Sequence, residues 1–145
     1  PRDRMNALLS FLYSMWMNDC RSACEGAGLD PQVGFLHALR PGRAALALDL
    51  MEEFRPFADR LALTLVNRCQ LNLADFTIRE GGAVLLEDAP RRLVVTAYQE
   101  RKQDAIAHPM LSETLPLGVT PLVQARLLAR HLRNETQSYA PFPMK

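Results

Sequence analysis

The chain has 145 residues, of which 48% are hydrophobic and 23% are charged, and its formal net charge is +1. These proportions indicate a soluble globular protein of one domain with a sizeable core, and no apolar run approaches the roughly 18–20 residues that a membrane-spanning helix needs. A net charge near zero gives no sign of a nucleic-acid partner, but residues 1–87 carry −2 and residues 88–145 carry +3, an asymmetry that suits a metal-dependent enzyme acting on a polyanion.

The cysteines indicate the compartment of the protein. The chain has an odd number of cysteines, Cys20, Cys24 and Cys69, and they form no Cys-x-x-Cys motif. Because unpaired cysteines are among the most buried residue types, we interpret all three as buried free thiols in a reducing cytoplasm, in preference to a redox or metal site. The expected localisation is therefore cytoplasmic, with no membrane contact.

Apolar residues recur at helical spacing through most of the chain, and Asp3, Asp88 and Thr120 stand where helix-capping residues are expected. Pro56 is expected to end or kink a helix, because proline has no N–H to give to the helical ladder. A short helical turn is predicted at Asp30-Pro31. The predicted longer helices cover residues 3–26, 44–55, 56–70, 89–107 and 121–134.

Residues 71–87 differ in pattern from the rest. Short β-type runs on either side of Gly81-Gly82 predict one small β-hairpin near residues 76–86. Residues 110–118 are predicted to be a loop, and the tail from Tyr139 to Lys145 is predicted to be extended, or packed only by its aromatic residues. The expected fold is mainly α, a helical bundle-like domain with this single hairpin.

Candidate metal ligands lie in the first half of the chain. His37 closes an apolar turn, and Asp49, Glu52 and Glu53 lie on the helix predicted after it. Acids three apart share a helix face, and carboxylates brought together with an imidazole could hold a divalent cation. A salt bridge of the acids to Arg55 or Arg60 explains the same spacing, which leaves both interpretations open.

Arginines and a second histidine are the other candidates. Arg126, Arg130 and Arg133 form one stripe without interleaved acids, and a solvated surface and a phosphate-binding surface are both consistent with it. Arg40 and Arg43 flank the loop glycine Gly42 and allow the same two interpretations. His108 is either a second active-site histidine or an ordinary residue at the end of a helix.

Six segments of the chain form a recognisable set. They are Asn6-Ala7-Leu8-Leu9-Ser10-Phe11, Gly28-Leu29-Asp30-Pro31, Gly34-Phe35-Leu36-His37, Arg40-Pro41-Gly42-Arg43, Leu46-Ala47-Leu48-Asp49-Leu50-Met51-Glu52-Glu53-Phe54-Arg55-Pro56 and Gln124-Ala125-Arg126-Leu127-Leu128-Ala129. Together they resemble the family of CRISPR-associated integrases called Cas1, most closely its type I-C branch. The resemblance covers nearly the whole chain, and it implies the family's C-terminal helical domain without the N-terminal β domain and the start of the helical domain.

The resemblance implies a metal-dependent DNA endonuclease and integrase. Such an enzyme inserts spacers into a CRISPR array by attack of a DNA 3′-hydroxyl on a phosphodiester. By the same resemblance His37 and Glu52 are ligands of Mg²⁺ or Mn²⁺, Asp49 supports them as a catalytic residue, and Arg55 lies near DNA. Glu53 is expected to be merely solvated.

A further glutamate ligand of the family falls upstream of Pro1, so the chain alone is expected to be inactive. The implied partners are double-stranded DNA (prespacer and CRISPR repeat), a second copy in a homodimer, and the CRISPR-associated protein Cas2. The alternative, from another functional class, is a non-catalytic helical DNA-binding or assembly module in which His37 and Asp49 are structural.

Overall fold

Two long helices form the centre of the fold. The computed structural model describes residues 2–30, 45–136 and 138–143. Its elements in chain order are α1 (Arg4–Gly26), α2 (Ala45–Asn67), β1 (Phe76–Ile78), β2 (Val84–Leu86), α3 (Asp88–Arg101), β3 (Ala105–His108), β4 (Glu113–Pro116) and α4 (Thr120–Leu132), with 3₁₀ turns at Leu73–Asp75 and Leu117–Val119. The expected mainly α class is confirmed. Residues 31–44 lie outside the described residues, and with them lie His37, the Arg40–Arg43 loop and the turn predicted at Asp30-Pro31 from its second residue on.

Helix α1 begins as its sequence predicts. The Asp3 carboxylate accepts the Asn6 backbone N–H at 2.8 Å and so caps the first turn. Leu8, Leu12 and Trp16, at helical spacing, are at most 2% exposed. This apolar stripe faces α2, and the two helices share more contacts than any other pair of described elements.

The predicted end of a helix at Pro56 is wrong, because α2 runs through this residue as one helix. Proline at this position deprives the Glu52 carbonyl of its N–H partner, which typically costs about 3 kcal/mol. The buried face nevertheless continues on both sides of it, with Phe54, Ala58, Leu61 and Leu65 at most 5% exposed. Burial of several apolar side chains at about 1.5–3 kcal/mol each exceeds that cost.

The predicted hairpin is confirmed, and a second one was missed. Strands β1 and β2 pair antiparallel, and Gly81 and Gly82 take the positive φ values of 87° and 86° that favour glycine. The prediction of helix to residue 107 and loop from 110 to 118 is wrong, because α3 ends at Arg101 and β3 pairs with β4 from Ala105↔Pro116 to His108↔Glu113. The Leu117 and Gly118 amides close this hairpin against the carbonyls of Asp104 and Lys102.

Two of the predicted caps are also corrected. Asp88 is the first residue of α3, where it pairs with Arg91 at 3.5 Å, and Glu87 occupies the N-cap position. Thr120 is the first residue of α4, and its hydroxyl donates to the Leu117 carbonyl at 2.6 Å. The helices begin close to the predicted positions, but these two side chains do not cap them.

A chain of aromatic rings runs through the largely aliphatic core. Trp16 stacks on Phe54 at 5.9 Å and meets Tyr98 edge-on at 5.5 Å, while Phe54 also contacts Phe142 at 5.3 Å. Phe142 lies in the tail, so this segment is part of the core. In the part of the chain that the structure describes, no helix is both long and apolar enough to cross a membrane.

The cysteines divide into two environments. Cys20 and Cys24 are free and buried on α1, as predicted, but Cys69 is exposed. Cys69 has a φ of 57° and its N–H bonds to the Val66 carbonyl, so it terminates α2 in a left-handed conformation at the surface. Burial raises the pKa of the Cys20 thiol well above its ordinary value and that of Cys24 to about 11.

We expect a thiol-specific reagent at neutral pH to label Cys69 rapidly and the other two cysteines only slowly. Cys24 and Cys20 react through their thiolates, and their raised pKa keeps them protonated until the pH approaches about 11 for Cys24. Labelling of the native chain, followed by absorbance and compared with the denatured chain, measures this. Equal rates for all three thiols in the native state would contradict it.

We expect Leu12→Ala to lower the free energy of unfolding by about 2–5 kcal/mol, because it leaves a cavity at a fully buried position. Leu73→Ala is the matched control; Leu73 is 70% exposed, and its replacement should change stability by less than about 0.5 kcal/mol. Urea unfolding measures both variants. The midpoint should shift for Leu12→Ala, and the slope of the unfolding free energy against urea concentration should stay unchanged. Equal losses for the two variants would refute the assignment of Leu12 to the core.

Candidate active site

A mostly apolar cavity of about 490 Å³ opens beside the acidic part of α2. Helix α2 contributes three carboxylates to its lining, and α4 and the tail contribute most of the rest. The lining residues are Leu46, Asp49, Leu50, Glu52, Glu53, Leu128, His131, Tyr139 and Pro141. Because the fold brings Asp49 and Glu52 to one cavity, the two predicted site acids of the described region share one space.

Asp49 is the most buried of the three acids. Only 8% of the residue is exposed, as its place on the apolar side of α2 predicts. A carboxylate removed from water in this way requires compensation by hydrogen bonds or opposite charge. Burial therefore distinguishes Asp49 from the two less buried acids of the cavity.

Glu52 has the salt bridge that the sequence left open as an alternative. Arg55 pairs with it at 3.2 Å, and the Arg55 guanidinium lies 4.9 Å from the centre of the Tyr13 ring. Hydrogen bonding to Tyr13 and Glu52 raises the pKa of Arg55. The pair lies one turn apart at the surface, and such pairs contribute only about 0–1 kcal/mol. The salt bridge is therefore too weak to exclude a cation from Glu52.

The expectation that Glu53 is merely solvated is wrong. Its carboxylate accepts three hydrogen bonds: from Gln124 Nε2 at 2.8 Å, from the Tyr139 hydroxyl at 2.6 Å and from the Phe142 N–H at 2.8 Å. Burial, and then the negative charge of Glu53, raises the pKa of Tyr139 above its ordinary value. These bonds also correct the prediction for the tail, which is held by polar contacts as well as by its aromatic residues.

His108 is a structural residue of this network. It lies 2% exposed at the end of β3, not at a helix terminus, and its Nε2 is 2.7 Å from Gln124 Oε1. Its Nδ1 accepts the backbone N–H groups of Met110 and Leu111 at 3.1 and 3.3 Å. Because Nδ1 is an acceptor, the proton lies on Nε2 and donates to Gln124.

The arginine stripe is partly neutralised. Arg130 and Arg133 both pair with Glu135, at 3.5 and 3.0 Å, so an acid follows the stripe although none lies within it. Arg126 is exposed on α4. His37, Arg40 and Arg43 lie outside the described residues, and within the described ranges no group of three or more His, Cys, Asp or Glu side chains could hold a metal ion.

His131 is a cavity residue that the sequence interpretation missed. It lies in the last turn of α4 and lines the cavity together with Asp49 and Glu52. Its Nδ1 is buried and has no hydrogen-bond partner among the residues that the structure describes. The available signal was its position three residues after Leu128 on the inward face of α4.

Comparison with known proteins places the chain in a family. Residues 1–100 match the family described as CRISPR associated protein Cas1. The chain is 60% identical over 143 residues to the CRISPR-associated endonuclease Cas1 1 of Moorella thermoacetica, covering 98% of this chain and 42% of that relative. It therefore spans less than half the length of this curated relative.

Solved structures agree with this. A casposase bound to integration product superposes with a TM-score of 0.86 at 25% identity, over 92% of this chain and 37% of that one. The partial Cas6-RT-Cas1–Cas2 complex contains a chain that matches 99% of this one and 42% of its own length, with a TM-score of 0.81 at 26% identity. The family match extends over more than half of the chain, and the chain belongs to the CRISPR associated protein Cas1 family.

Proposed function

We propose that this chain supplies acidic ligands and DNA contacts to a metal-dependent DNA endonuclease and integrase of CRISPR adaptation. The reaction is the attack of a DNA 3′-hydroxyl on a phosphodiester during spacer insertion. The observation that carries the proposal is the joint placement of Asp49 and Glu52 in one cavity of a member of the Cas1 family. The name of the Moorella relative, an endonuclease, supports it.

The donor chemistry of these residues fits Mg²⁺ or Mn²⁺. Carboxylate oxygens are the ligands that hard divalent cations prefer, and a single imidazole favours Mn²⁺ somewhat. We propose Glu52 and His37 as ligands, with Asp49 in support. When bound, the cation would stabilise the charge on the attacked phosphate and assist ionisation of the 3′-hydroxyl.

The protein's own groups would bind and orient the DNA backbone. Arg126 and Arg130 lie on α4, and Arg133 follows its last residue. The same helix lines the cavity through Leu128 and His131. Phosphate oxygens can replace Glu135 as partners of the last two arginines, since an exposed ion pair is weak. We propose that Arg55, next to Glu52, also contacts phosphate oxygens of the DNA backbone, and that Arg40 and Arg43 do so too.

The proposed partners are double-stranded DNA, a second copy of the chain and Cas2. DNA is supported by the similar casposase, whose structure holds an integration product. Cas2 is supported by the structural match to a chain of a Cas1–Cas2 complex. We propose both interactions for a protein of the full family length, since this chain spans 42% of the Moorella relative.

In the full-length protein we expect Glu52→Gln to reduce Mn²⁺-dependent strand transfer by about 100-fold or more, because it removes a ligand charge without changing side-chain volume. Asp49→Asn should reduce it by about 10–100-fold, as a supporting group does. His37→Ala should abolish transfer. Gel-resolved transfer of labelled DNA measures the rates.

Glu87→Gln, an exposed acid at the start of α3, is the matched control and should keep the wild-type rate. Thermal unfolding of each variant checks that the fold is retained. Full activity of Glu52→Gln or His37→Ala would refute the metal-site proposal. DNA binding without any Mn²⁺-dependent transfer in the wild type would support the binding or assembly module instead.

We expect replacement of Arg126, Arg130 and Arg133 by Ala to weaken DNA binding and to make it less salt-dependent. Each lost phosphate contact reduces the slope of log K against log salt by about 0.9. Replacement of the exposed Arg68, Arg79 and Arg92 changes the net charge equally and serves as the control. Equal slopes for both triple variants would remove α4 from the DNA interface.

A further inference from the structure

We propose that Glu53 is a positioning residue for this site. It holds the segment from Tyr139 to Phe142, here called the tail segment, as one wall of the cavity that contains Asp49 and Glu52. The tail segment then determines how a DNA backbone can lie against those two carboxylates. This inference rests on the proposed function. It assigns a role to Glu53, whereas the proposed metal ligand is Glu52 and the proposed supporting acid is Asp49.

The first observation is that one carboxylate connects α2 to two other parts of the chain. Glu53 Oε1 accepts from Gln124 of α4 and from the Phe142 backbone, and Oε2 accepts from the Tyr139 hydroxyl. An ionised carboxylate can only accept, and bonds of this charged kind are roughly twice as strong as neutral ones. Both ends of the tail segment are therefore bonded to the same side chain.

The second observation is that the side chain of Gln124, one of the donors to Glu53, is fixed in orientation. Gln124 is fully buried, and its Oε1 accepts the His108 Nε2 proton at 2.7 Å. Its amide nitrogen must then point away from His108, where it donates to Glu53 at 2.8 Å and to the Ala140 carbonyl at 3.2 Å. A network in which every member is satisfied is rigid and specifies one arrangement.

The third observation is an apolar anchor at the end of the tail segment. Phe142 is 8% exposed, and its ring lies 5.3 Å from Phe54 and 5.5 Å from His108. Tyr139 and Pro141, the residues before it, line the cavity. The tail segment is thus pinned on the side of the core and presents two side chains to the space beside Asp49 and Glu52.

The consequence for catalysis follows from the register along α2. Glu53 is adjacent to Glu52 and one turn from Asp49, so the wall is fixed relative to the acids by a single helical turn. Misplacing a reactant by about 1 Å can cost about 100-fold in rate. Loss of the Glu53 bonds would leave both acids in place but release the wall, which lowers the rate in the DNA complex while cation and DNA affinities persist.

The test uses the full-length protein with saturating DNA and three readouts: the single-turnover strand-transfer rate, Mn²⁺ affinity, and hydrogen exchange at the Phe142 amide. Glu53→Ala should reduce the rate by about tenfold or more and raise Phe142 exchange by about tenfold or more, since that amide loses its acceptor. Tyr139→Phe removes one hydroxyl only and should reduce the rate by about threefold or more. Mn²⁺ affinity should be unchanged in both.

Tyr98→Phe is the matched control, because the Tyr98 hydroxyl also donates to a helix carboxylate, that of Asp19, away from the cavity. It should keep the wild-type rate. Faster Phe142 exchange with an unchanged transfer rate would overturn the proposal, as would a loss of Mn²⁺ affinity as large as that of Glu52→Gln. Should Glu53→Ala fail to fold, the rate of Tyr139→Phe decides. Strand transfer at the wild-type rate by Glu52→Gln would refute the metal site. Hydrogen exchange at the Phe142 amide in Glu53→Ala reports on the tail segment whatever the outcome for the metal site.

Discussion

The contact of Phe54 with Trp16 and Phe142 is the interaction on which the rest of the structure depends. It joins α1, α2 and the tail, and Phe54 is fully buried among them. Because Phe54 follows Glu53 directly, the burial that fixes the rotation of α2 also fixes where its acids point. The core and the candidate site are therefore set by the same helical turn, and a shift of α2 about its axis would move both.

Three acids within five residues of α2 acquire three different environments. Asp49 is buried, Glu52 is paired with Arg55 at the surface, and Glu53 accepts bonds from α4 and the tail. The chemistry available to a carboxylate depends on its surroundings more than on its identity. Glu53 already has its donors and acts as a structural connection, whereas the partner of Glu52 among the described residues is Arg55, whose exposed salt bridge is weak enough to exchange for a cation.

Local signals were sufficient for α1, for α4 and for the hairpin at Gly81-Gly82, whose positive φ values favour glycine. The β3–β4 hairpin was missed because Ile106 continues the apolar spacing of α3 and no glycine lies in the Pro109–Ser112 turn, where Ser112 takes the positive φ of 52°. Pro56 was misread because the burial that compensates for it is tertiary. Glu53 was misread because its partners are 71 to 89 residues away along the chain, a separation that periodicity cannot reveal.

The charges around the cavity constrain how a polyanion could approach it. A phosphate brought to Asp49 and Glu52 meets two carboxylates within mostly apolar walls, where repulsion between like charges is stronger than in water. A divalent cation would neutralise the charge of those two carboxylates, and Arg126 and Arg130 of α4, with Arg133 directly after it, would add positive charge. Helix α4 thus combines two tasks, since its inward residues Leu128 and His131 line the cavity and its outward arginines face solvent. The tail segment that Glu53 holds lines the same cavity. A DNA backbone that approaches the acids would therefore meet the arginines of α4 on one side and the fixed tail segment on the other.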